Sequence, residues 1–499
     1  MSAAFRLPSE LTDFIARDPG RTLLIRGESG SGKTTLALTL LTSFRGQRIF
    51  VSQRVRRSEL EQDYPWITEG PNALHVVQSA DLDERVRDRA RPIEKAHELI
   101  ELGEGDVAVR KLWLPDAITD AFSRVAPGER GMVVVDSWDA LVEQYLGLPA
   151  AEAAKYPDRA EVERLLISLM SGGPVRLVLV VERDTPSQLD YLVDGVVHCS
   201  TVLEEDRLER WMFLKKLRGV RIDHFSYPFS LDGGRFRCIA PMVSPIAPVL
   251  QKPDPDPDPQ PGTIWPGLVQ LANLFGRLPV RTMTLIETDL DVPGEAVALL
   301  CAPIFSEVAR LGGRAVHILP PRASPEAVLQ AYRGVVSPEA FVAGVRIFSP
   351  LSGIEHGPDA ELLRRVTIRG LASAPDETST RMPEMQRFLS ENSATGIPNV
   401  SFAHISGLEH ASVGAVSPYT RTNLPVIVER TLESGNVHVI MVGASMDPLT
   451  EGLREMATIR IAMRWKQGRV FVHGIAPQTP PLVLAAGDAS RPYELIRVV

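Results

Sequence analysis

The sequence has few cysteines, and their arrangement fits neither a disulfide framework nor a zinc site. Cys199, Cys238 and Cys301 lie far apart and form no C-x-x-C pair. A sparse, odd number of cysteines is typical of a protein that folds in a reducing compartment. The pattern therefore excludes a small disulfide-stapled fold.

Long apolar runs and an excess of positive charge are also missing. No stretch approaches the roughly 20 apolar residues that a membrane-spanning helix needs. The first residues lack the apolar core of a signal peptide. Because the formal net charge is −8, no overall positive field draws the chain to nucleic acid or an anionic membrane. We therefore expect a cytoplasmic protein without membrane association, for which nucleic acid is a weak candidate partner.

A proline-rich segment divides the 499 residues into two halves of nearly equal length. In Lys252–Gly262 proline alternates with aspartate, so every second backbone donor is missing and like charges repel. We expect an extended, semi-stiff linker there. The predicted domains are residues 1–245 and 263–499, with the linker at 246–262.

Both halves have the pattern of an α/β domain. In the first half, runs rich in Val, Ile and Leu at 21–26, 48–52, 132–136 and 175–181 alternate with helical stretches. Strands follow at 192–200, 209–217 and 227–239, the last with a turn at Gly233–Gly234. In the second half, similar runs lie at 281–288, 313–318, 400–406, 437–443, 460–465 and 469–474. Such runs favour mostly parallel sheets covered by helices on both faces. The common order predicts a tandem duplication of one domain.

A phosphate-binding loop follows the first predicted strand and precedes a helix at 33–44. Its sequence satisfies G-x-x-x-x-G-K-[ST], in the structural context that the motif requires. Glycines allow backbone N–H groups to surround phosphates, and the helix N-terminus favours the same anion. We expect Lys33 to reach the β- and γ-phosphates of ATP and Thr34 to bind Mg²⁺. The predicted nucleotide-binding residues are Gly27, Glu28, Ser29, Gly30, Ser31, Gly32, Lys33, Thr34 and Thr35.

Asp136 ends the third apolar run of the first half. A carboxylate at the tip of a buried parallel strand can hold Mg²⁺ through water. The alternative is a helix N-cap, since Ser137 and Asp139 could cap the helix that follows. We predict that Asp136 is the second magnesium ligand beside Thr34.

Two cations, Lys216 and Arg218, lie near the end of a late strand. Strand alternation places them on one face. They could contact the γ-phosphate of a neighbouring subunit, or they could protect a solvated strand edge. Spacing alone does not decide between these roles.

Several segments together resemble KaiC-like ATPases of the RecA superfamily. They are Gly27–Thr34, Val133–Ser137, Val181–Arg183, Leu192–Val197 and Lys216–Gly219, in that order. The resemblance covers residues 10–240. It implies tandem RecA-like P-loop domains in an oligomer, such as a hexamer, with ATP at subunit boundaries. It also implies that Lys216 and Arg218 contact the neighbour's γ-phosphate.

The chain departs from that family after the second strand, where a glutamate pair activates the attacking water. Gln53 and Arg54 stand there instead. Gln53 can orient a water molecule but cannot accept its proton. The strand end Ser52–Val55 and the opening Leu7–Leu11 resemble the GvpD family of gas-vesicle regulatory proteins. That resemblance implies a regulatory nucleotide-binding protein.

The second half lacks the residues of a nucleotide site. After its first strand come Asp289, Asp291 and Glu295 in place of Lys-Thr, and His404–Ser406 occupies the Walker B position. Each like charge near a triphosphate costs on the order of 1 kcal/mol at an effective dielectric constant near 20. We predict a degenerate RecA-like domain that binds no Mg-ATP and serves for docking, oligomerisation or effector recognition.

Three functions remain open from the sequence. The first is a slowly hydrolysing regulatory ATPase whose nucleotide state controls binding to a protein partner. In that reading Lys33, Gln53, Lys216 and Arg218 form the catalytic set. The second is a DNA repair accessory ATPase that binds single-stranded DNA, which the few cations after Asp136 disfavour. The third is a nucleotide-dependent scaffold without turnover, which Gln53 would suit.

Overall fold

The chain folds into two compact units, one ending at Ala240 and the other running from Pro241 to Arg497. The computed structural model describes residues 7–68, 74–78, 116–126, 128–146, 159–170, 172–242, 254–319, 323–333, 336–349, 358–369, 387–391, 397–404, 436–443, 448–486 and 493–498. The predicted boundaries at 245 and 263 remain predictions.

The first unit is built from strands that alternate with helices and end in a run of strands. Its strands are β1 (Thr22–Arg26), β2 (Gln47–Ser52), β3 (His75–Gln78), β4 (Gly131–Asp136), β5 (Val175–Val180), β6 (Gly195–Glu204), β7 (Arg207–Leu217), β8 (Ser226–Ser230) and β9 (Arg237–Cys238). Its helices are α1 (Ser9–Ala16), α2 (Lys33–Ser43), α3 (Arg57–Asp63), α4 (Asp116–Ser123), α5 (Trp138–Leu146), α6 (Arg159–Met170) and α7 (Gln188–Leu192).

The strands of the first unit form one sheet in the order β3-β2-β4-β5-β1-β6-β7-β8-β9. From β3 to β6 all neighbours are parallel, and from β6 onward they are antiparallel. The carboxyl ends of β1, β4 and β2 therefore meet at one edge of the sheet. In open parallel sheets ligands bind at that edge.

Apolar side chains cover both faces of this sheet. Leu23 and Ile25 of β1 pack with α1 and α2 on one face, and Leu24 packs with α4, α5 and α6 on the other. This alternation explains why β1 is fully buried and reads as a continuous apolar run. The predicted α/β class, with a mostly parallel sheet covered by helices, is confirmed for this unit.

The second unit has the same architecture. Its strands are β10 (Thr263–Ile264), β11 (Leu278–Pro279), β12 (Met283–Thr288), β13 (Ala315–Ile318), β14 (Val345–Ser349), β15 (Thr367–Arg369), β16 (Val400–His404), β17 (Val437–Gly443), β18 (Ile459–Lys466), β19 (Arg469–Ala476), β20 (Leu482–Ala486) and β21 (Tyr493–Arg497). Its helices are α8 (Val269–Phe275), α9 (Gly294–Arg310), α10 (Pro325–Tyr332), α11 (Pro338–Gly344), α12 (Ala360–Val366) and α13 (Pro448–Met456).

The main sheet of the second unit has the order β15-β14-β13-β16-β17-β12-β18-β19-β20-β21. Its first strand, β12, lies between β17 and β18, just as β1 lies between β5 and β6. The shared order is what a duplicated domain would have. The tandem duplication itself stays a prediction.

The segment expected at 227–239, with a turn at Gly233–Gly234, is two short strands, β8 and β9, separated by a 3₁₀ turn at Asp232–Gly234. The linker segment differs from its predicted form. The described part of the expected linker, 254–262, packs within the second unit, where Arg277 forms an ion pair with Asp256. The backbone N–H of Asp254 also donates to the Gly267 carbonyl at 2.7 Å.

Candidate nucleotide-binding site

The loop between β1 and α2 has the backbone that its glycines permit. Gly27, Gly30 and Gly32 have φ angles of 147°, 75° and 88°, which L side chains rarely adopt. A Cβ atom on Gly27 would lie 2.0 Å from the Cys199 carbonyl oxygen of β6. The loop is therefore seated directly against the neighbouring strand.

Lys33 begins α2 with its side chain turned back into the loop. Its Nζ donates to the carbonyl oxygens of Gly27 at 2.8 Å and Glu28 at 2.6 Å. The residue is only 7% exposed, and burial lowers the pKa of its ammonium group. An ammonium group held at the mouth of a glycine-rich loop can bind phosphate oxygens.

Thr34 and Asp136 meet although they are 102 residues apart in the chain. Thr34 Oγ1 donates to Asp136 Oδ2 at 2.6 Å. Burial raises the pKa of Asp136, and the hydrogen bond from Thr34 and the charge of Lys33 oppose that rise. The hydroxyl from the loop and the carboxylate from β4 therefore lie side by side, and their role as magnesium ligands stays a prediction.

Gln53 follows β2 and lies beside Asp136. Its backbone N–H donates to the Asp136 carbonyl at 2.9 Å. Both polar atoms of its side chain are buried and have no hydrogen-bond partner. A buried amide without partners carries a desolvation cost that a bound water or ligand would remove.

Other predicted loop residues differ in exposure. Glu28, Ser29 and Gly30 are exposed, whereas the buried Ser31 Oγ has no hydrogen-bond partner. Thr35 Oγ1 lies 3.2 Å from the hydroxyl of Tyr64, a residue that no motif of the sequence assigns to the site. These atoms line the start of α2, where a nucleotide would be held.

Lys216 and Arg218 contact the turn after α7. Lys216 Nζ donates to the carbonyls of Val193 at 2.6 Å, Asp190 and Tyr191, at the end of α7. Arg218 donates to Asp194 at 3.1 Å. Within one chain both cations therefore stabilise the turn after α7, and their role toward a neighbour's nucleotide stays a prediction.

Three charged residues that were given no role also lie at the site. Arg210 of β7 donates to the Gly30 carbonyl at 2.6 Å. Arg54 and Glu182 form an ion pair at 2.6 Å. Burial is the main cause of the pKa shifts of Lys33 and Asp136. The charges of Arg54 and Glu182 contribute to both shifts. The sequence feature that could have pointed to Glu182 is its position two residues after β5, at the carboxyl edge of the sheet.

The corresponding edge of the second unit holds an ion-pair cluster. Glu287 of β12 accepts from Arg454 and Arg460, both at 2.8 Å. Asp289 accepts from the backbone N–H of Trp465 at 3.2 Å and lies 3.6 Å from Arg464. Asp291 is exposed, and the Glu295 side chain, Ile405 and Ser406 lie outside the described residues. Carboxylates and their arginine partners thus occupy this edge.

The residues of the first unit fit Mg-ATP. The buried Ser31 hydroxyl and Gln53 amide lack partners, and Thr34 and Asp136 supply the hard oxygen atoms that Mg²⁺ prefers. Among the described residues, no group of three or more His, Cys, Asp or Glu side chains could hold a metal ion by itself. Within the same part of the chain, no helix combines the length and apolar character needed to cross a membrane.

Comparison with known proteins shows that the first unit is similar to one protein family. Residues 11–218 match the family described as GvpD gas vesicle protein, P-loop domain. Two Halobacterium salinarum proteins, Protein GvpD2 and Protein GvpD1, are 36% and 32% identical to this chain over 238 and 240 residues. Each match covers 47% of this chain, and 44% and 41% of those relatives. The match thus spans less than half the length of these curated relatives.

Proposed function

We propose, from the premise that the first unit is a GvpD-like P-loop domain, that this chain is an ATP-binding regulatory protein. The observation that carries the proposal is the pairing of Thr34 with Asp136 at 2.6 Å beside the buried Lys33. Lys33 and the loop N–H groups would hold the phosphates, and Thr34 and Asp136 would hold Mg²⁺. Bound Mg²⁺ neutralises charge that develops on the phosphates.

We further infer that ATP hydrolysis is slow. The unpaired amide of Gln53 can hold a water molecule by hydrogen bonds. An amide does not accept a proton at neutral pH, so Gln53 orients water without acting as a general base. Slow turnover suits a protein whose bound nucleotide is a signal.

Oligomer formation would complete the site. Lys216 and Arg218 would reach a neighbour's γ-phosphate after releasing the α7 carbonyls and Asp194. The side chain of Arg218 is 57% exposed. Breaking its ion pair with Asp194 to bind a phosphate therefore costs little free energy. Sedimentation of the full chain with and without ATP tests this part, and a monomer under both conditions contradicts it.

The regulated partner would be a protein in the cytoplasm. The matched family is described as a gas vesicle protein, and we extend that context to a gas-vesicle regulatory role for this chain. The second unit, whose corresponding edge is filled by ion pairs, would serve as a docking or oligomerisation platform.

A phosphate-release assay tests the nucleotide function. Lys33→Ala should abolish ATP binding and turnover, because the only buried ammonium group that the structure describes at the loop is removed. Lys215→Ala is the matched control, since Lys215 is exposed on β7 and contacts the Phe213 ring. Equal turnover of wild type and Lys33→Ala would remove hydrolysis from the proposal, and equal ATP binding would overturn it.

Partner control needs a second experiment. Immobilised full chain is loaded with ATP or ADP, and the retained proteins are compared with those retained by Lys33→Ala. We expect a protein that is retained in one nucleotide state and is absent from the Lys33→Ala sample. Identical retention in all three samples contradicts nucleotide control.

A further inference from the structure

An ion pair joins two strand ends across the nucleotide site. Arg54 Nη1 lies 2.6 Å from Glu182 Oε1. Arg54 comes two residues after the end of β2, and Glu182 comes two residues after the end of β5. Neither side chain belongs to the phosphate-binding motif or to the predicted magnesium ligands.

The sheet order places this ion pair over Asp136. Strands β2 and β5 both pair with β4, on opposite sides. Their ends are therefore two strand spacings apart, about 10 Å. Long side chains from both ends must meet above β4, the strand that ends at Asp136. The ion pair thus bridges the strand end where the phosphates and the attacking water would lie.

Both partners are held by their backbones. The N–H of Glu182 donates to Asp139 Oδ2 at 2.9 Å, and Arg159 fixes Asp139 through a 2.7 Å ion pair. Arg54 directly follows Gln53, whose N–H is bonded to the Asp136 carbonyl. The side chains can consequently change partners while their attachment points stay in place.

The ion pair itself is weak enough to exchange. The side chains of Arg54 and Glu182 are 57% and 32% exposed, and ion pairs with this access to water contribute little to stability. A γ-phosphate carries more charge than one carboxylate and accepts planar hydrogen-bond pairs from a guanidinium group. It would therefore compete well for Arg54.

We propose that the Arg54–Glu182 ion pair is a γ-phosphate-responsive switch, in which ATP binds Arg54 and the released Glu182 becomes the water-activating carboxylate. This inference rests on the proposed ATP site. It assigns the general base to the end of β5, since Gln53 at the end of β2 cannot take a proton. Turnover stays slow because Glu182 is held by Arg54 until the γ-phosphate takes its place. ADP lacks the γ-phosphate and leaves the ion pair closed.

Hydrolysis transfers the γ-phosphoryl group of ATP to water. The water oxygen forms a bond to the γ-phosphorus as the bond from that phosphorus to the bridging oxygen breaks. One water proton passes to the Glu182 carboxylate, and the electron pair of the broken bond stays on ADP. Glu182 then returns its proton to the released phosphate or to solvent, and Arg54 pairs with it again.

The affinities for ATP and ADP and the rate of phosphate release test the switch in the full chain. Arg54→Gln should weaken ATP binding about tenfold, the loss of one charge-assisted phosphate contact, and should leave ADP binding unchanged. Glu182→Gln should bind ATP severalfold more tightly because the competitor for Arg54 is weakened. It should also release phosphate on the order of 100-fold more slowly, since the base is lost.

Controls separate this inference from the proposed function. Arg57→Gln and Glu61→Gln remove an exposed ion pair of 2.7 Å on α3 and should change neither affinity nor rate. Weaker ATP binding by Glu182→Gln, or unchanged phosphate release, overturns the switch. Equal losses of ATP and ADP affinity by Arg54→Gln do so as well. If Lys33→Ala binds ATP like wild type, the proposed site itself fails.

Discussion

At the scale of single residues, the site depends on contacts between side chains that are distant in sequence. Thr34 and Asp136 meet because β4 lies two strands from β1 in the sheet. The motif predicted Lys33 and Thr34, and an apolar run ending in aspartate predicted Asp136. The Arg54–Glu182 ion pair was not predictable, since its formation depends on which strands flank β4.

Asp136→Asn should weaken Mg²⁺-dependent ATP binding by on the order of tenfold. The amide keeps the shape of the side chain and removes the charge that holds the cation. Calorimetric titration of ATP with and without Mg²⁺ measures the difference.

Asp120→Asn is a suitable control for Asp136→Asn, because the Asp120 carboxylate lies on α4 in an exposed ion pair with Arg124. Its Mg²⁺ dependence should equal that of wild type. If Asp136→Asn also keeps the wild-type dependence, Asp136 is not a ligand.

At the scale of elements, the position of the phosphate-binding loop is set by β6 as well as by its own glycines. The sequence predicted the loop and α2 from local signals, and α2 begins at the predicted residue. It did not predict that β6 runs against Gly27, because that contact depends on the β1–β6 pairing. The turn between β8 and β9, by contrast, was indicated by Gly233 and Gly234, and Phe229 packs against Phe236 on its two sides.

Gly27→Ala and Gly30→Ala should have unequal effects on stability. The Cβ atom at position 27 would meet the Cys199 carbonyl at 2.0 Å, whereas at position 30 it would meet nothing within 4 Å. Gly30→Ala should cost only the left-handed backbone penalty of about 1 kcal/mol. Gly27→Ala should cost several times more, roughly 3 kcal/mol or above.

Denaturant unfolding of the full chain compares the two glycine variants. ATP binding by each variant reports whether the loop keeps its shape. Equal stability losses would show that the contact between the loop and β6 is not the constraint described here.

At the scale of the whole molecule, two units whose strand orders differ by one additional edge strand, β15, also differ in what occupies the carboxyl edge of their sheets. In the second unit, Glu287 is 5% exposed and is held by Arg454 and Arg460. The sequence predicted the loss of Lys-Thr there. It did not predict the arginine partners, which come from α13 and β18, more than 160 residues away.

Glu287→Gln should lower the free energy of unfolding by about 2 kcal/mol at neutral pH, the value of hydrogen bonds to charged groups. Burial alone would raise the pKa of Glu287, but the hydrogen bonds from Arg454 and Arg460 hold it below 4.5. A lowered pKa in the folded state stabilises the fold above pH 4.5, and this stabilisation is lost as pH falls through the folded-state pKa.

The stability difference between wild type and Glu287→Gln should therefore shrink in acid. Glu451→Gln is the control, because the 64% exposed carboxylate of Glu451 also pairs with Arg454 and should contribute little. Denaturation of the full chain across pH measures both differences. A Glu287→Gln effect that is constant with pH would contradict the assigned ionisation.

We propose that one nucleotide site operates in this chain, at the loop that contains Lys33. Calorimetric titration of the full chain with Mg-ATP measures the number of ATP molecules bound per chain. We expect one ATP per wild-type chain and none for Lys33→Ala. Two ATP molecules per chain, or one that persists in Lys33→Ala, would contradict it.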